Sequence, residues 1–215
     1  MKNGISTVCK SVIASMLFCG SVMATPSEAL INDYNLAAQG DEDKVEQVHQ
    51  ALSQLINEEG AEPLSLVYLG STETLMGRDA FLPWNKMKYT EQGLATIAKG
   101  LALLESQPSD APQEIRQGMQ EHLLAEALAA ATYTALPDMF NHFERGYDLF
   151  LELLAKPEMK AQHFQATSWI YFYAIEASLR AEDKEQGLKW LEEMKQLGSD
   201  NPMTIQAQAL LDKAA

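Results

Sequence analysis

Glu91-Gln92-Gly93-Leu94 recurs, nearly unchanged, twice further along the chain, as Glu144-Arg145-Gly146-Tyr147 and as Glu185-Gln186-Gly187-Leu188. In each copy an apolar residue follows the glycine four positions later (Ile97, Phe150, Leu191), and a small or apolar one follows seven positions later (Gly100, Leu153, Met194). That spacing is one face of a helix. Glycine costs about 1 kcal/mol against alanine inside a helix. Its return at the same place in three helices therefore implies a shared packing reason, a neighbouring helix crossing close at that point.

The copies begin at residues 91, 144 and 185, steps of 53 and 41. A helical stretch with its own apolar face precedes each. A constant local pattern at irregular spacing predicts repeated helical hairpins joined by loops of differing length.

Residues 1–24 read as a separate unit. Lys2 and Lys10 supply a positive start, Ser11 to Val22 is a short, mostly apolar run, and Val22-Met23-Ala24 fits a cleavage site. This is the pattern of a secretory signal peptide, too short and wrongly flanked for a membrane anchor. Phe18 before Cys19 argues against a lipoprotein. Both cysteines, Cys9 and Cys19, fall in this leader, so the expected mature chain from Thr25 to Ala215 has none. Thiol chemistry is thereby excluded, and the fold must be held by apolar burial in a compartment that permits disulfides.

The whole chain carries a net charge of −14. The leader holds two lysines and no acid, leaving 14 Lys and Arg against 30 Asp and Glu, or −16. Such a surface repels nucleic acid and anionic headgroups. Its plainest role is solubility, and any charge-selected partner would be basic.

Helices are expected over Pro26–Ala38 and Asp41–Glu59, a degenerate first hairpin, and over Glu62–Gly77. A connector, Arg78-Asp79-Ala80-Phe81-Leu82-Pro83-Trp84-Asn85, then leads into the helix bearing the first motif copy, which runs to Ser106. Pro112–Leu136 reads as one long helix, buried through its Leu- and Ala-rich centre from Leu123 to Ala131. Asp138 or Asn141 is placed to cap the helix with the second copy, ending near Leu154. Lys160–Arg180 carries an aromatic belt of Phe164, Trp169, Tyr171, Phe172 and Tyr173, and a turn over Ala181–Asp183 opens the third copy. Asn201-Pro202 reads as cap and first residue of a final helix to Lys213.

With Leu69-Gly70 in a first helix, Gly93 and Gly100 in a second, and a 34-residue unit from Trp169 to Pro202 containing Gly187, Leu191 and Met194, the chain is similar to the tetratricopeptide-repeat family of stacked 34-residue helical hairpins. The resemblance covers Glu62 to Pro202. It departs where Gly77 to Gly93 spans 16 residues against about five in the family, and at an insertion around Pro137–Phe143. It implies an all-α, right-handed helical-hairpin solenoid of about four hairpins plus a C-terminal capping helix. The expected division is a signal peptide over 1–24 and a single domain over 25–215. Within that domain lie the first hairpin over 25–60, repeats over 61–107, 112–155 and 160–198, and the cap over 201–215.

Such arrays hold a peptide or partner protein in the groove lined by the first helix of each pair. The lysine and asparagine clamp some members use for a C-terminal carboxylate is missing here, since those helices carry only Arg116 and the end residues Lys160 and Arg180. The connector is the better lead. Arg78, Asp79, Trp84, Lys86 and Lys88 gather three cations and an aromatic, the composition of a binding hot spot. The competing account has Phe81, Leu82 and Trp84 folding back over the gap between helices while Arg78 and Asp79 pair locally.

The aromatic belt could line a small-molecule pocket, but residues in succession point in different directions on a helix, which fits core packing. His122 and Glu126 sit four apart, as two metal ligands would, without a nameable third. No metal or cofactor is therefore expected. No serine or cysteine nucleophile motif, phosphate loop or dinucleotide site is present. The expectation is an exported, periplasmic, non-enzymatic module that binds another protein or peptide, with no nucleic acid and no stable membrane insertion after signal cleavage. The alternatives are a receptor or enzyme with a pocket between residues 78–88 and 164–173, and a homo-oligomer formed by stacking of terminal hairpins.

Overall fold

The computed structural model describes residues 25–108 and 111–214; the expected leader lies outside them. The described chain is all-α apart from one minimal strand pair. α1 (Glu28–Ala38) starts where the Ser27 hydroxyl accepts from the Leu30 amide and buries Ile31, Tyr34 and Ala37 on one face. α2 (Glu42–Glu59) follows Asp41 with Glu42 and Asp43 in its first turn, where negative charge is favoured. α3 (Pro63–Asp79) and α4 (Pro83–Ser106) each begin on a proline, the residue with no amide to leave unpaired there.

After them come α5 (Glu121–Ala135), α6 (Phe143–Ala155), the four-residue α7 (Pro157–Lys160), α8 (Phe164–Arg180), α9 (Lys184–Gly198) and α10 (Pro202–Lys213). Asp183 caps α9 through the Gln186 amide, and Asn201 caps α10 through the Met203 amide.

Consecutive helices pack in pairs, α1 with α2, α3 with α4, α5 with α6 and α8 with α9. Each later helix also lies against the preceding pair: α5 touches α3 and α4, α8 touches α5 and α6, and α10 touches α8 and α9. One continuous apolar core runs from Ile31 to Leu211. α3 lies deepest, with Leu64, Val67, Tyr68, Gly70, Ser71, Glu73 and Thr74 all buried.

The repeated glycines mark the helix crossings, as expected. A Cβ built on Gly93 would stand 2.4 Å from the Gly70 carbonyl oxygen, and one on Gly70 would stand 2.6 Å from that of Gly93. Gly77 abuts Thr90, and Gly100 abuts Pro63 and Val67, so residue order reverses along the contact and the two helices are antiparallel. Gly146 meets Tyr133 and Thr134 of α5, and Gly187 meets Ser178 of α8.

Four expectations fail. The connector is only Ala80-Phe81-Leu82, because α3 continues through Arg78 and Asp79 and Pro83 starts α4 at once. The residues read as an insertion lengthen two helices instead. The helix expected over 112–136 begins only at Glu121, because Gln117 and Gly118, with φ of 52° and 78°, form a two-residue turn joining β1 (Ile115–Arg116) to β2 (Met119–Gln120). Positive φ at both turn residues matches the right-handed twist of paired strands and breaks a helix.

Neither Asp138 nor Asn141 caps α6. Asp138 opens a 3-10 turn, Asn141 is left-handed at φ 53°, and His142 occupies the position before Phe143. The helix expected over 160–180 begins only at Phe164, as α8, because Lys160 closes the short α7, whose Met159 is buried in the core.

Candidate functional site

The tip of the α3–α4 hairpin gathers all five residues singled out by composition, but uses them in two ways. The Arg78 guanidinium donates to Asp79 Oδ1 at 2.6 Å and Oδ2 at 2.9 Å, and to the Ala37 and Ala38 carbonyls at 3.1 and 3.2 Å. Those carbonyls end α1, where a cation is favoured by the helix dipole and by acceptors lacking intrahelical donors. Lys86 Nζ donates to the Arg78 carbonyl at 2.8 Å and does the same for α3. Arg78, Asp79 and Lys86 thus fasten the tip to the body.

Trp84 and Phe81 stand outside this framework, 66% and 93% exposed. They do not fold back over the helices, which corrects the packing expectation, whereas the local Arg78–Asp79 pair is present. Lys88 is exposed, its ammonium 5.6 Å from the centre of the Tyr89 ring.

A second polar cluster was not anticipated. Glu73, 3% exposed in the middle of α3, accepts from Gln92 Nε2 at 2.5 Å and Thr96 Oγ1 at 2.6 Å, with His49 Nε2 of α2 3.9 Å away. Burial by itself would raise its carboxyl, but the nearby His49 and the hydrogen bonds from Thr96 and Gln92 outweigh it and hold the group below its ordinary value. The same contact raises His49. With both oxygens engaged, Glu73 ties α2, α3 and α4 together. The one charged residue between Pro63 and Gly77 of α3 was the available signal.

Another tie joins α1, α3 and α5. Ser71 Oγ and Thr132 Oγ1 are 2.8 Å apart, and both bond the buried Tyr34 hydroxyl, which burial pushes up to about 12.

His122 and Glu126 do not act together. Both Glu126 oxygens take Lys156 Nζ at 2.6 Å, and His122 Nδ1 lies 3.0 Å from Gln113 Oε1. Among the described residues no group of three His, Cys, Asp or Glu is disposed to hold a metal ion. In α8, Ile170 and Tyr171 are buried, Trp169 and Phe172 half-buried and Tyr173 exposed, so the aromatic belt serves mainly as core.

A cavity of about 60 Å³ opens beside Thr25, Glu62, Gln107, Gln113, Glu121 and His122, and a shallow depression lies along α9 from Glu185 to Gln196. Neither is lined by residues of 78–88 or 164–173.

The protein is an all-α assembly of packed helix pairs with an exposed aromatic tip, and none of its described helices is long and apolar enough to cross a membrane. No protein-family model matches the chain, and neither a curated protein nor a solved structure shows significant similarity to it.

Proposed function

We propose that the chain is an exported, tetratricopeptide-like solenoid that binds another protein or peptide in the bacterial periplasm, as an adaptor or scaffold. The observation that carries this reading is the tip of the α3–α4 hairpin. Two large apolar side chains, Phe81 and Trp84, are held in water there by a turn that Arg78, Asp79 and Lys86 fasten to two helix ends. Leaving such groups exposed forgoes burial worth about 25 cal/mol per Å². A rigid aromatic anchor loses little entropy when a partner covers it.

The reading as stacked helical hairpins is supported by the pairing of successive helices, by the glycine at three of the crossings, and by α5, α8 and α10 each resting on the pair before it. Export is supported by the charge and apolar pattern of residues 1–24.

The test is photo-crosslinking in the native periplasm, with a photoreactive residue at position 84 and a control at the exposed Glu192. A discrete protein adduct at 84 and none at 192 is expected. Trp84→Ala should weaken that partner's affinity by about 2 kcal/mol, as a hot-spot truncation does, while changing stability by less than about 0.5 kcal/mol. A folded protein with no adduct at position 84 rejects the tip as the binding site.

A further inference from the structure

Among the described residues, two buried polar atoms have no hydrogen-bond partner, the Tyr133 hydroxyl and Glu121 Oε1. Only the second belongs to an ionisable carboxyl group of the helix framework. Glu121 is 7% exposed at the start of α5, and the nearest cation, Arg116 Nε, is 3.9 Å from its Oε1. That guanidinium is already committed elsewhere, to the Pro26 and Ile115 carbonyls, the Thr25 hydroxyl and Glu114. Burial raises the Glu121 carboxyl, Arg116 and a hydrogen bond from Thr25 oppose that, and Glu114 and Glu62 add to it. The site is short of positive charge.

Glu121 lines the small cavity together with Thr25, Glu62, Gln107, Gln113 and His122. Gln107 Nε2 reaches Glu62 Oε2 at 3.4 Å and Gln113 Oε1 accepts from the His122 amide at 3.2 Å, so the Gln107 donor and the Gln113 oxygen serve neighbouring groups. Burial holds His122 below its ordinary value, which works against a second cation at the cavity. The volume, about 60 Å³, admits a few water molecules or one small polar group. A primary ammonium, with three donors on a compact charge, is the complement of such a space.

Thr25 supplies that group if the leader is removed after Ala24. Water adds across the Ala24–Thr25 amide at the processing peptidase, leaving a carboxylate on Ala24 and an amine on Thr25 that takes up a proton. Thr25 is 8% exposed, and its hydroxyl bonds Glu121.

We propose that this cavity is the receptor for the chain's own processed N-terminus, the Thr25 α-ammonium pairing with Glu121 in the field of Glu62. The proposal rests on the cleavage reading. Its consequence is that the precursor, which has an uncharged amide at Thr25, lacks the pair and gains it only on processing.

Two measurements on the exported protein separate the proposal from that reading. The intact mass and first residue of the periplasmic protein should give Thr25; any other start overturns both. On the protein that starts at Thr25, a cycle then combines E121Q with one extra alanine before Thr25. The extension should lower the melting temperature by about 4 °C with Glu121 present and by much less in E121Q; equal shifts overturn the pairing while the cleavage reading stands. Acylation of the α-amine at pH 7.5 should also be about ten-fold slower in the folded wild-type protein than in an unstructured peptide with the same first residues, because pairing with a carboxylate favours the protonated, unreactive amine. Equal rates overturn the proposal, even if E121Q fails to fold.

Discussion

Gly93→Ala should destabilise the protein although alanine is the better helix former, and Gly187→Ala should not. At Gly93 the new methyl would meet the Gly70 carbonyl oxygen at 2.4 Å, Thr74 Cγ2 at 2.7 Å and the Thr74 amide nitrogen at 2.9 Å. Two of those three atoms are backbone of α3, so no side-chain rotation relieves them, and α3 and α4 must part by roughly 1 Å to restore ordinary packing distances. That movement would also open the Gly77–Thr90 and Gly100–Pro63 contacts and stretch the bonds from Gln92 and Thr96 to Glu73. Overpacking a tight core costs about 1–3 kcal/mol, and the contact with rigid backbone places this site at or above the upper end. The propensity gain of about 1 kcal/mol leaves a net loss near 2 kcal/mol, or about 4–8 °C in melting temperature for a chain of this size.

At Gly187 the nearest atom is Ser178 Oγ at 2.5 Å and the next lies at 3.5 Å. Ser178 can rotate away at the expense of its 2.8 Å bond to the Ile175 carbonyl, so loss and propensity gain should cancel to within about 0.5 kcal/mol. Thermal and urea denaturation followed by far-UV circular dichroism measures both. A Gly93→Ala protein as stable as wild type, or a Gly187→Ala protein that loses as much, would refute the backbone-contact argument.

Stability should also carry a pH signature from Glu73 and His49. The folded Glu73 carboxyl is lowered, so its contribution is present above its unfolded value near 4.5 and is lost as pH falls through the folded value. His49 is raised, so its contribution is complete below its unfolded value near 6.5 and is lost as pH rises through the folded value. The pair is therefore strongest between those two values, and the penalty of His49→Gln in urea midpoints should be larger at pH 5.5 than at pH 8.5; Glu46, which also raises His49, remains in both proteins. Arg78→Gln should lose about 1 kcal/mol by releasing the terminal carbonyls of α1, and should leave crosslinking at position 84 detectable. If Arg78→Gln were as neutral for folding as Trp84→Ala, the capping account of Arg78 would fail.

Much of the helical framework was legible residue by residue. The Gly93, Gly146 and Gly187 crossings, the Asp183 and Asn201-Pro202 helix starts and the buried centre of α5 all follow from patterns spanning four to seven positions. The turn at Gln117-Gly118 was readable in principle, since an X-Gly pair can close a two-residue hairpin, but the Leu- and Ala-rich run beyond it drew the expected helix too far toward the N-terminus. Trp84 was singled out by type alone. Its exposure, unlike the burial of Trp190, depends on what the rest of the chain leaves uncovered.

The sequence by itself determined the all-α class, the helix faces and the crossing points, because helix geometry links residues only three, four and seven apart and caps act within one turn. Tertiary structure alone decided that Arg78 reaches back to the carbonyls of Ala37 and Ala38, that Glu73 is held by His49, Gln92 and Thr96, and that Glu121 shares a cavity with Thr25. Those contacts join residues 19 to 96 positions apart, and no local pattern encodes them. They exist because burying the apolar faces of α1 to α10 in one core brings distant polar side chains together, where each must find a partner or remain uncompensated.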